Sequence, residues 1–110
     1  MASVRDLDKR AQGTARAFIR ALQAHGVTVT VTSTRRDGST QARLFADYQA
    51  GRSKYPAAPP GRSTHGLGLA FDLHLDPPIY QAAGHAWERA GFTWGGRFAD
   101  QIHFDFRPHA

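Results

Sequence analysis

The sequence predicts an α+β fold, a single small domain in which helices pack against a mainly antiparallel sheet. The chain has 110 residues, enough for one hydrophobic core and little more. Residues 27–33 read V-T-V-T-V-T-S, and this alternation of β-branched residues is typical of a half-buried strand. Segments of helical periodicity lie between the predicted strands, and the sequence has no internal repeat. We therefore expect residues 1–110 to form one domain.

Three segments have apolar residues at helical spacing, and they span residues 3–25, 39–50 and 79–90. In the first segment, Ser3 and Asp6 resemble a capping box, and Gly26 follows the last turn. The second segment ends before Gly51 and is expected to bury three side chains, those of Leu44, Phe45 and Tyr48.

Two later segments, residues 67–75 and 102–107, predict strands in which apolar and polar side chains alternate. In each of them the apolar residues point to the core, so the polar residues point to the opposite face of the sheet. Residues 52–62 contain three prolines and are expected to form a loop. Residues 94–96, W-G-G, predict a turn before the last strand.

Composition excludes some kinds of site and leaves two kinds of anionic partner open. The chain has no cysteine, so a metal site would need histidine and carboxylate ligands. Lysine and arginine number 14 against 9 acidic residues, which favours a polyanion such as nucleic acid or the bacterial cell wall. The basic residues form no dense run and no nucleic-acid motif accompanies them, so charge alone selects neither partner.

Polar residues on two predicted strands and one loop could converge on a single metal ion. Asp72 and His103 lie on the polar faces of their strands, so neighbouring strands would bring them to one face. His65 precedes Asp72 by seven residues, and the glycines Gly66 and Gly68 allow the backbone to bend between them. Two imidazoles and one carboxylate are a ligand set of catalytic zinc, whose fourth position stays open. The three residues could therefore form a Zn²⁺ site in a cleft on the sheet, although a buried histidine such as His65 more often bonds a backbone carbonyl.

A catalytic zinc also needs a base that removes a proton from the attacking water. Glu88 is the only glutamate, and it lies in the middle of a predicted helix. Asp100 lies three residues before His103, just outside the strand, where its carboxylate could reach the water without binding the metal. Asp105 shares a face with His103 and could support it by a hydrogen bond. His74, on the same face, could line the cleft or lie at a solvated strand end.

Three segments resemble the sequence blocks of the M15 metallopeptidases, in the order in which that family has them. S-T-H-G-L-G-L-A-F-D at residues 63–72 resembles the family signature Ser-x-His-x-x-Gly-x-Ala-x-Asp. W-G-G-R-F-A-D-Q-I-H-F-D at 94–105 resembles the block in which an acid precedes the last ligand by three residues. V-T-S-T-R-R-D-G-S-T-Q at 31–41 resembles the upstream Ser-Gly-Tyr-Arg segment. The resemblance covers about residues 27–107.

Carried over to this chain, the resemblance implies four residues at the metal, the zinc ligands His65, Asp72 and His103 and the general base Asp100. Arg36 would hold the scissile carbonyl or its oxyanion, because a guanidinium stays charged where negative charge develops. Ser63 would contact substrate, and Trp94 belongs to a block that borders the cleft, although it could equally plug a turn. Thr34 and Arg35 replace the usual Gly-Tyr of the family, so Arg35 competes with Arg36 for the arginine role.

The resemblance implies a zinc-dependent peptidase that hydrolyses the stem peptides of bacterial peptidoglycan. The residues of the motif G-L-A-F-D and the short length of the chain favour an L-alanyl-D-glutamate endopeptidase of the endolysin type. A D-alanyl-D-alanine dipeptidase or carboxypeptidase is the alternative among enzymes. A non-catalytic wall-binding or phage structural module on the same fold is the alternative of another class, although all four metal-site positions are filled.

The expected place of action follows from the absence of targeting signals and from the resemblance. No apolar run approaches the roughly 20 residues that a membrane span needs, and the first ten residues lack the apolar stretch of a signal peptide. We therefore expect a monomer that is made in the cytoplasm and acts on the cell wall as a phage lysis or virion protein. Besides the stem peptide, the anionic wall surface is the expected partner, and neither nucleic acid nor membrane is expected to bind.

Overall fold

A four-stranded antiparallel sheet carries the fold, as seen in a computed structural model that describes residues 2–35, 38–57 and 64–109. Its strands, in chain order, are β1 (Thr30–Ser33), β2 (Ala70–His74), β3 (Thr93–Trp94) and β4 (His103–Asp105). They lie side by side in the order β1-β2-β4-β3, so β2 and β4 are central and every pairing is antiparallel. The predicted α+β class with a mainly antiparallel sheet is confirmed.

The described ranges contain three α-helices, α1 (Lys9–Ala24), α2 (Gly38–Gln49) and α3 (Tyr80–Arg89). The prediction of one helix over residues 3–25 placed the start too early. Ser3 caps a separate 3-10 turn, and α1 begins only after Asp8, whose side chain accepts a hydrogen bond from the backbone N–H of Arg10. The end was predicted correctly, since His25 is the C-terminal cap and Gly26 follows with a positive φ.

Aromatic side chains join the sheet to α1 and α3 on one face. Phe71 of β2 and Phe104 of β4 are direct partners in the strand register, fully buried, with stacked rings 5.7 Å apart. Phe18 of α1 lies 6.5 Å from Phe71 and 5.5 Å from Phe104, and Trp87 of α3 contacts the same two rings. The hydrophobic core therefore lies between the sheet and these two helices.

The helix α2 lies on the other side of the sheet, and its predicted buried side was wrong. Tyr48 is 42% exposed and Leu44 and Phe45 are only half-buried, whereas the polar Gln41 is 2% exposed. Gln41 and Leu44 line a cleft together with Asp72 of β2. Because the inner side of α2 faces this cleft rather than a closed core, apolar periodicity did not identify its buried residue.

Two features near the C-terminal half were only partly predicted. The strand β3 is two residues long, too short for an alternating pattern to be recognised, and the sequence predicted only a turn there. The turn itself is a 3-10 helix over Gly95–Phe98 that follows β3 directly. In the described part of the chain, no helix has the length and apolar character to cross a membrane.

Two glycines inside helices test how tightly α3 packs against β3. A side-chain methyl group at Gly84 would overlap the buried indole of Trp94, whereas one at Gly13 of α1 would meet nothing within 4 Å. We expect Gly84→Ala to lower the free energy of unfolding by about 1–3 kcal/mol because of overpacking. Gly13→Ala, the matched control, should raise it by about 0.5–1 kcal/mol through helix propensity alone. Chemical denaturation measures both, and stabilisation by both substitutions would contradict this packing.

Candidate metal centre

The three residues predicted to bind zinc lie together on the polar face of the sheet. Asp72 of β2 and His103 of β4 are direct register partners, next to the Phe71–Phe104 pair but on the opposite face. His65 lies in the turn before β2, which is closed by a hydrogen bond from the Gly68 backbone N–H to the His65 carbonyl. One potential ligand atom from each of the three residues lies within 4.8 Å of the others. The structure thus brings the predicted ligand set together.

Hydrogen bonds on the outer sides of the two imidazoles determine which nitrogen faces the cluster. His65 Nδ1 lies 2.6 Å from the carbonyl oxygen of Thr34, and because a carbonyl only accepts, this nitrogen carries the proton. His103 Nε2 lies 2.8 Å from Asp105 Oδ2 and donates to that carboxylate. The other two nitrogens, His65 Nε2 and His103 Nδ1, therefore face each other and Asp72.

The distances between these inward-facing atoms match the edges of a zinc coordination tetrahedron. His65 Nε2 is 3.1 Å from Asp72 Oδ1 and 3.2 Å from His103 Nδ1, and His103 Nδ1 is 3.5 Å from Asp72 Oδ1. Ligands about 2.0–2.1 Å from a tetrahedral zinc lie about 3.3–3.4 Å apart. In their neutral forms the two imidazoles would direct lone pairs at each other and at a carboxylate, which requires a cation between them. The donor set therefore fits Zn²⁺.

The electrostatics of the cluster also favour a cation. Burial raises the pKa of Asp72, but hydrogen bonds with His103 and His65 outweigh this effect and hold the pKa well below its usual value. For His103, burial lowers the pKa, but hydrogen bonds with Asp105 and Asp72 raise it to about 9. Both shifts show that positive charge among these three groups is favoured.

Asp105 forms a hydrogen bond with the side of the His103 ring that faces away from the cluster, as the sequence suggested. The side chain of Asp105 is fully buried. It accepts hydrogen bonds from His103 and from Arg107, whose Nη2 lies 2.7 Å from Oδ2 and whose backbone N–H donates to Oδ1 at 2.9 Å. Burial raises the pKa of Asp105, but the bonds from His103 and Arg107 lower it below its ordinary value. Asp105 therefore stays ionised and fixes the orientation of the His103 ring.

Asp100, the predicted base, lines the same cleft as the three ligands. The His103 backbone N–H donates to the Asp100 carbonyl at 3.1 Å, and the Asp100 N–H donates to the Gly95 carbonyl at 2.9 Å. These two bonds tie Asp100 to the last ligand. A Cβ atom on Gly95 would overlap the Asp100 backbone oxygen and come within 2.8 Å of His103 Cβ. The sequence predicted Gly95 only as part of a turn, whereas this close approach requires a glycine.

Comparison with known protein families identifies the family. A family model described as VanY, D-alanyl-D-alanine carboxypeptidase, matches residues 4–109. The chain belongs to the VanY family. The resemblance to M15 metallopeptidases that rests on the three sequence motifs is thereby confirmed, and so is the prediction of a zinc metallopeptidase that acts on cell-wall peptides. A comparison with curated protein sequences finds no match.

Several solved structures share the fold of this VanY-family chain. The D,D-pentapeptidase VanY of a VanB-type vancomycin resistance cassette, in complex with Zn(II), is 23% identical, with a TM-score of 0.71 over 91% of this chain and 72% of its own. The LD-carboxypeptidase LdcB is also 23% identical, with a TM-score of 0.73 over 94% and 66%. The L-Ala D-Glu endopeptidase ChiX of Serratia marcescens is 22% identical, with a TM-score of 0.68 over 94% and 83%.

The walls of the cleft include apolar residues that the sequence did not indicate. The cleft has a volume of about 460 Å³, and four of its lining residues are large and apolar, namely Leu44, Tyr55, Phe98 and Ile102. Tyr55 is 43% and Phe98 57% exposed, although both are aromatic. Phe98 lies within the W-G-G-R-F segment, so its place in that motif was a signal that could have been used. Tyr55 lies in a loop without any pattern, and only the structure reveals it.

Trp94, predicted to contact substrate, lies in the core of this VanY-family domain. It is 4% exposed and is not among the residues that line the cleft. Its Nε1 donates to the Gln101 carbonyl at 2.9 Å, and methyl groups at Gly84 or Gly96 would overlap its ring. Its burial favours the aromatic plug of a turn and not the predicted substrate contact, and Phe98 is the exposed aromatic residue of that segment.

The remaining predicted residues lie away from the cluster or outside the described residues. Arg36 and Ser63 lie outside the described residues. Arg35, the alternative to Arg36, is exposed and does not line the cleft, and its Nε donates to the Asp6 carbonyl at 3.2 Å.

His74 is exposed at the end of β2 and does not line the cleft either. The only glutamate, Glu88, pairs with Arg97 and is therefore structural.

The hydrogen bond from His103 to Asp105 should determine zinc affinity. We expect Asp105→Asn to raise the Kd for zinc by about tenfold to a hundredfold, because the amide holds the ring nitrogen more weakly than a carboxylate does. Glu88→Gln is the matched control, since it also neutralises a buried carboxylate bound by an arginine but lies outside the cleft. Competition with a chromogenic chelator measures the Kd. An unchanged Kd in Asp105→Asn, or an equal change in both variants, would refute this role.

Proposed function

We propose that this protein hydrolyses peptide bonds in peptidoglycan stem peptides with a zinc ion held by His65, Asp72 and His103. The observation that carries the proposal is the spacing of the inward-facing ligand atoms, 3.1 to 3.5 Å, in the wall of a cleft. When bound, zinc acts as a Lewis acid that activates water and polarises the peptide carbonyl. His65 binds through Nε2 and His103 through Nδ1, because their other nitrogens donate to Thr34 and Asp105.

Asp100 is the general base of the proposed reaction. Its carboxylate accepts a proton from the attacking water and returns the proton to the leaving amine. Two features support this role, its position in the wall of the cleft and its backbone hydrogen bond to His103. Asp100 thus lies in the same short turn as the proposed ligand His103, so the distance between the base and the metal is fixed by the backbone.

Arg36 is proposed to hold the scissile carbonyl oxygen, and Ser63 to contact the substrate. The support for Arg36 comes from its neighbours: the Thr34 carbonyl binds His65, while the Arg35 side chain turns towards Asp6. For Ser63 the support is the next residue, Thr64, which lines the cleft. A guanidinium near the metal would stabilise the negative charge that develops on the carbonyl oxygen in the transition state.

The bond between L-alanine and D-glutamate is the substrate bond that we propose, as the motif G-L-A-F-D suggests. Cleavage of a terminal D-alanine is the second candidate, and it is favoured by the description of the family model that matches residues 4–109. We further propose that a single-domain monomer acts on the wall during phage lysis or from a phage particle, which the resemblance to phage endopeptidases supports.

Digestion of a soluble stem pentapeptide distinguishes the two bonds. The zinc-loaded protein should release L-alanine and leave a fragment with a new amino end on D-glutamate, as read by mass spectrometry. A C-terminally amidated pentapeptide should be cut equally well, since an endopeptidase does not need the free α-carboxylate. Release of D-alanine from the peptide with a free C-terminus, but not from the amidated peptide, would establish the carboxypeptidase. Absence of any cleavage by zinc-loaded protein would contradict the proposed hydrolysis altogether.

Substitution of Asp100 separates the base from the ligands. We expect Asp100→Asn to lower kcat by about 10²–10⁴-fold, because an amide cannot accept the proton, while the bound zinc stays at the wild-type level. Asp76→Asn, in an exposed acid outside the cleft, is the control and should keep full activity. Metal content by atomic emission and turnover on the pentapeptide are measured together. A metal-free Asp100→Asn protein would show that Asp100 is a ligand and not the base.

A further inference from the structure

A second groove, of about 530 Å³, lies between α1 and the edge strand β1. In the part of the chain that the structure describes, it shares no lining residue with the cleft that holds the metal cluster. Among the described residues that line it, three are arginines, Arg5, Arg16 and Arg20, and none is acidic. We call it the arginine groove. Its other lining side chains are small, amide-bearing or aliphatic, among them Ile19 and Gln23 of α1.

The three arginines have no anionic partner in the described part of the chain. There, the arginines that do form ion pairs are Arg10, Arg52, Arg97 and Arg107. Arg16 and Arg20 are four residues apart on α1, so their side chains are neighbours on one side of the helix. A pair of like charges at this spacing destabilises a helix. The helix contains four basic residues and no acidic one, so nothing within α1 offsets this repulsion.

An external anion would offset the repulsion, and the groove fits an extended anion with repeated charges. Arg16 and Arg20 are four residues apart on the helix, about 6 Å along its axis, so consecutive charges of one polymer can reach both. The guanidinium fork binds the oxygens of a phosphate in a bidentate manner. Aliphatic side chains such as Val29 and Ile19 between the arginines can contact the uncharged parts of such a polymer.

Single-stranded nucleic acid is also a phosphodiester polymer, and the lining of the groove is less suited to it. Single-stranded nucleic acids bind through aromatic side chains on which bases stack, and none of the described residues that line the arginine groove is aromatic. A wall polymer built of alditols and phosphates has no bases to stack, so charge and aliphatic contact suffice.

We propose that the arginine groove binds a phosphodiester polymer of the bacterial cell wall and so holds the enzyme on its substrate. This inference rests on the proposed action on peptidoglycan. Because the groove and the cleft share no residue, the polymer and the stem peptide bind at the same time, and the tether raises the local concentration of peptide bonds.

The test measures sedimentation of zinc-loaded protein with purified Gram-positive walls, before and after hydrofluoric acid removes their phosphodiester polymers. Arg16→Gln/Arg20→Gln should bind intact walls about 25-fold more weakly, about fivefold for each arginine near an anionic surface. Arg43→Gln/Arg89→Gln is the matched control, because it removes the same net charge from exposed positions outside the groove. Its affinity for intact walls should lie within about twofold of that of the parent protein. The parent and the two variants should bind stripped walls equally weakly. Thermal unfolding confirms that both variants fold.

Equal weakening of wall binding by the two double variants would contradict binding of a wall polymer in the arginine groove. Full binding of the parent protein to stripped walls would also contradict it. Tighter binding to a DNA duplex than to intact walls, lost in Arg16→Gln/Arg20→Gln, would also overturn it in favour of nucleic acid. Hydrolysis of the soluble pentapeptide is measured in parallel and should be the same in both variants. Groove-dependent wall binding without any hydrolysis would support the groove and contradict the proposed peptidase function, so the two failures are distinguishable.

Discussion

The antiparallel pairing of β2 with β4 is the constraint on which the metal centre depends. One register places Phe71 opposite Phe104 in the core and, one residue further, Asp72 opposite His103 on the other face. The stacked phenyl rings exclude water from one side of the sheet, so the hydrophobic effect that stabilises the domain also fixes the distance between two proposed metal ligands. A slip of β4 by one residue would turn His103 towards the core and Phe104 towards the polar face, which makes the register strongly specified. The site thus gains its precision from the core.

Hydrogen bonds on the outer side of the two histidines complete the cluster, one to a backbone carbonyl distant in the chain and one to a side chain two residues away. The Thr34 carbonyl, at the end of β1, orients His65, and the buried carboxylate of Asp105 orients His103. Both bonds leave one defined nitrogen of each ring directed at Asp72. A preorganised site loses little conformational entropy on binding, which favours a single geometry. The segment that precedes Arg36 is therefore coupled to the metal ligands.

The sequence predicted the parts of this protein that follow from local pattern. Strand alternation gave the shared face of Asp72 and His103, and motif spacing gave Asp100, because both depend on neighbours in the chain. The start of α1 was wrong because two capping signals, Ser3 and Asp8, compete and only the packed structure selects between them. The walls of the cleft and the arginine groove beside β1 depend on contacts between distant segments, so no local pattern could reveal them.

The central claim is that one zinc ion binds His65 through Nε2 and His103 through Nδ1. Long-range ¹H–¹⁵N correlation spectra of the imidazole rings in the zinc-loaded protein test it directly, because they show which nitrogen of each histidine carries a proton. The account predicts a proton on Nδ1 of His65 and on Nε2 of His103, with the opposite nitrogen of each ring shifted by the metal. A proton on Nδ1 of His103, or rings unchanged by zinc, would contradict it.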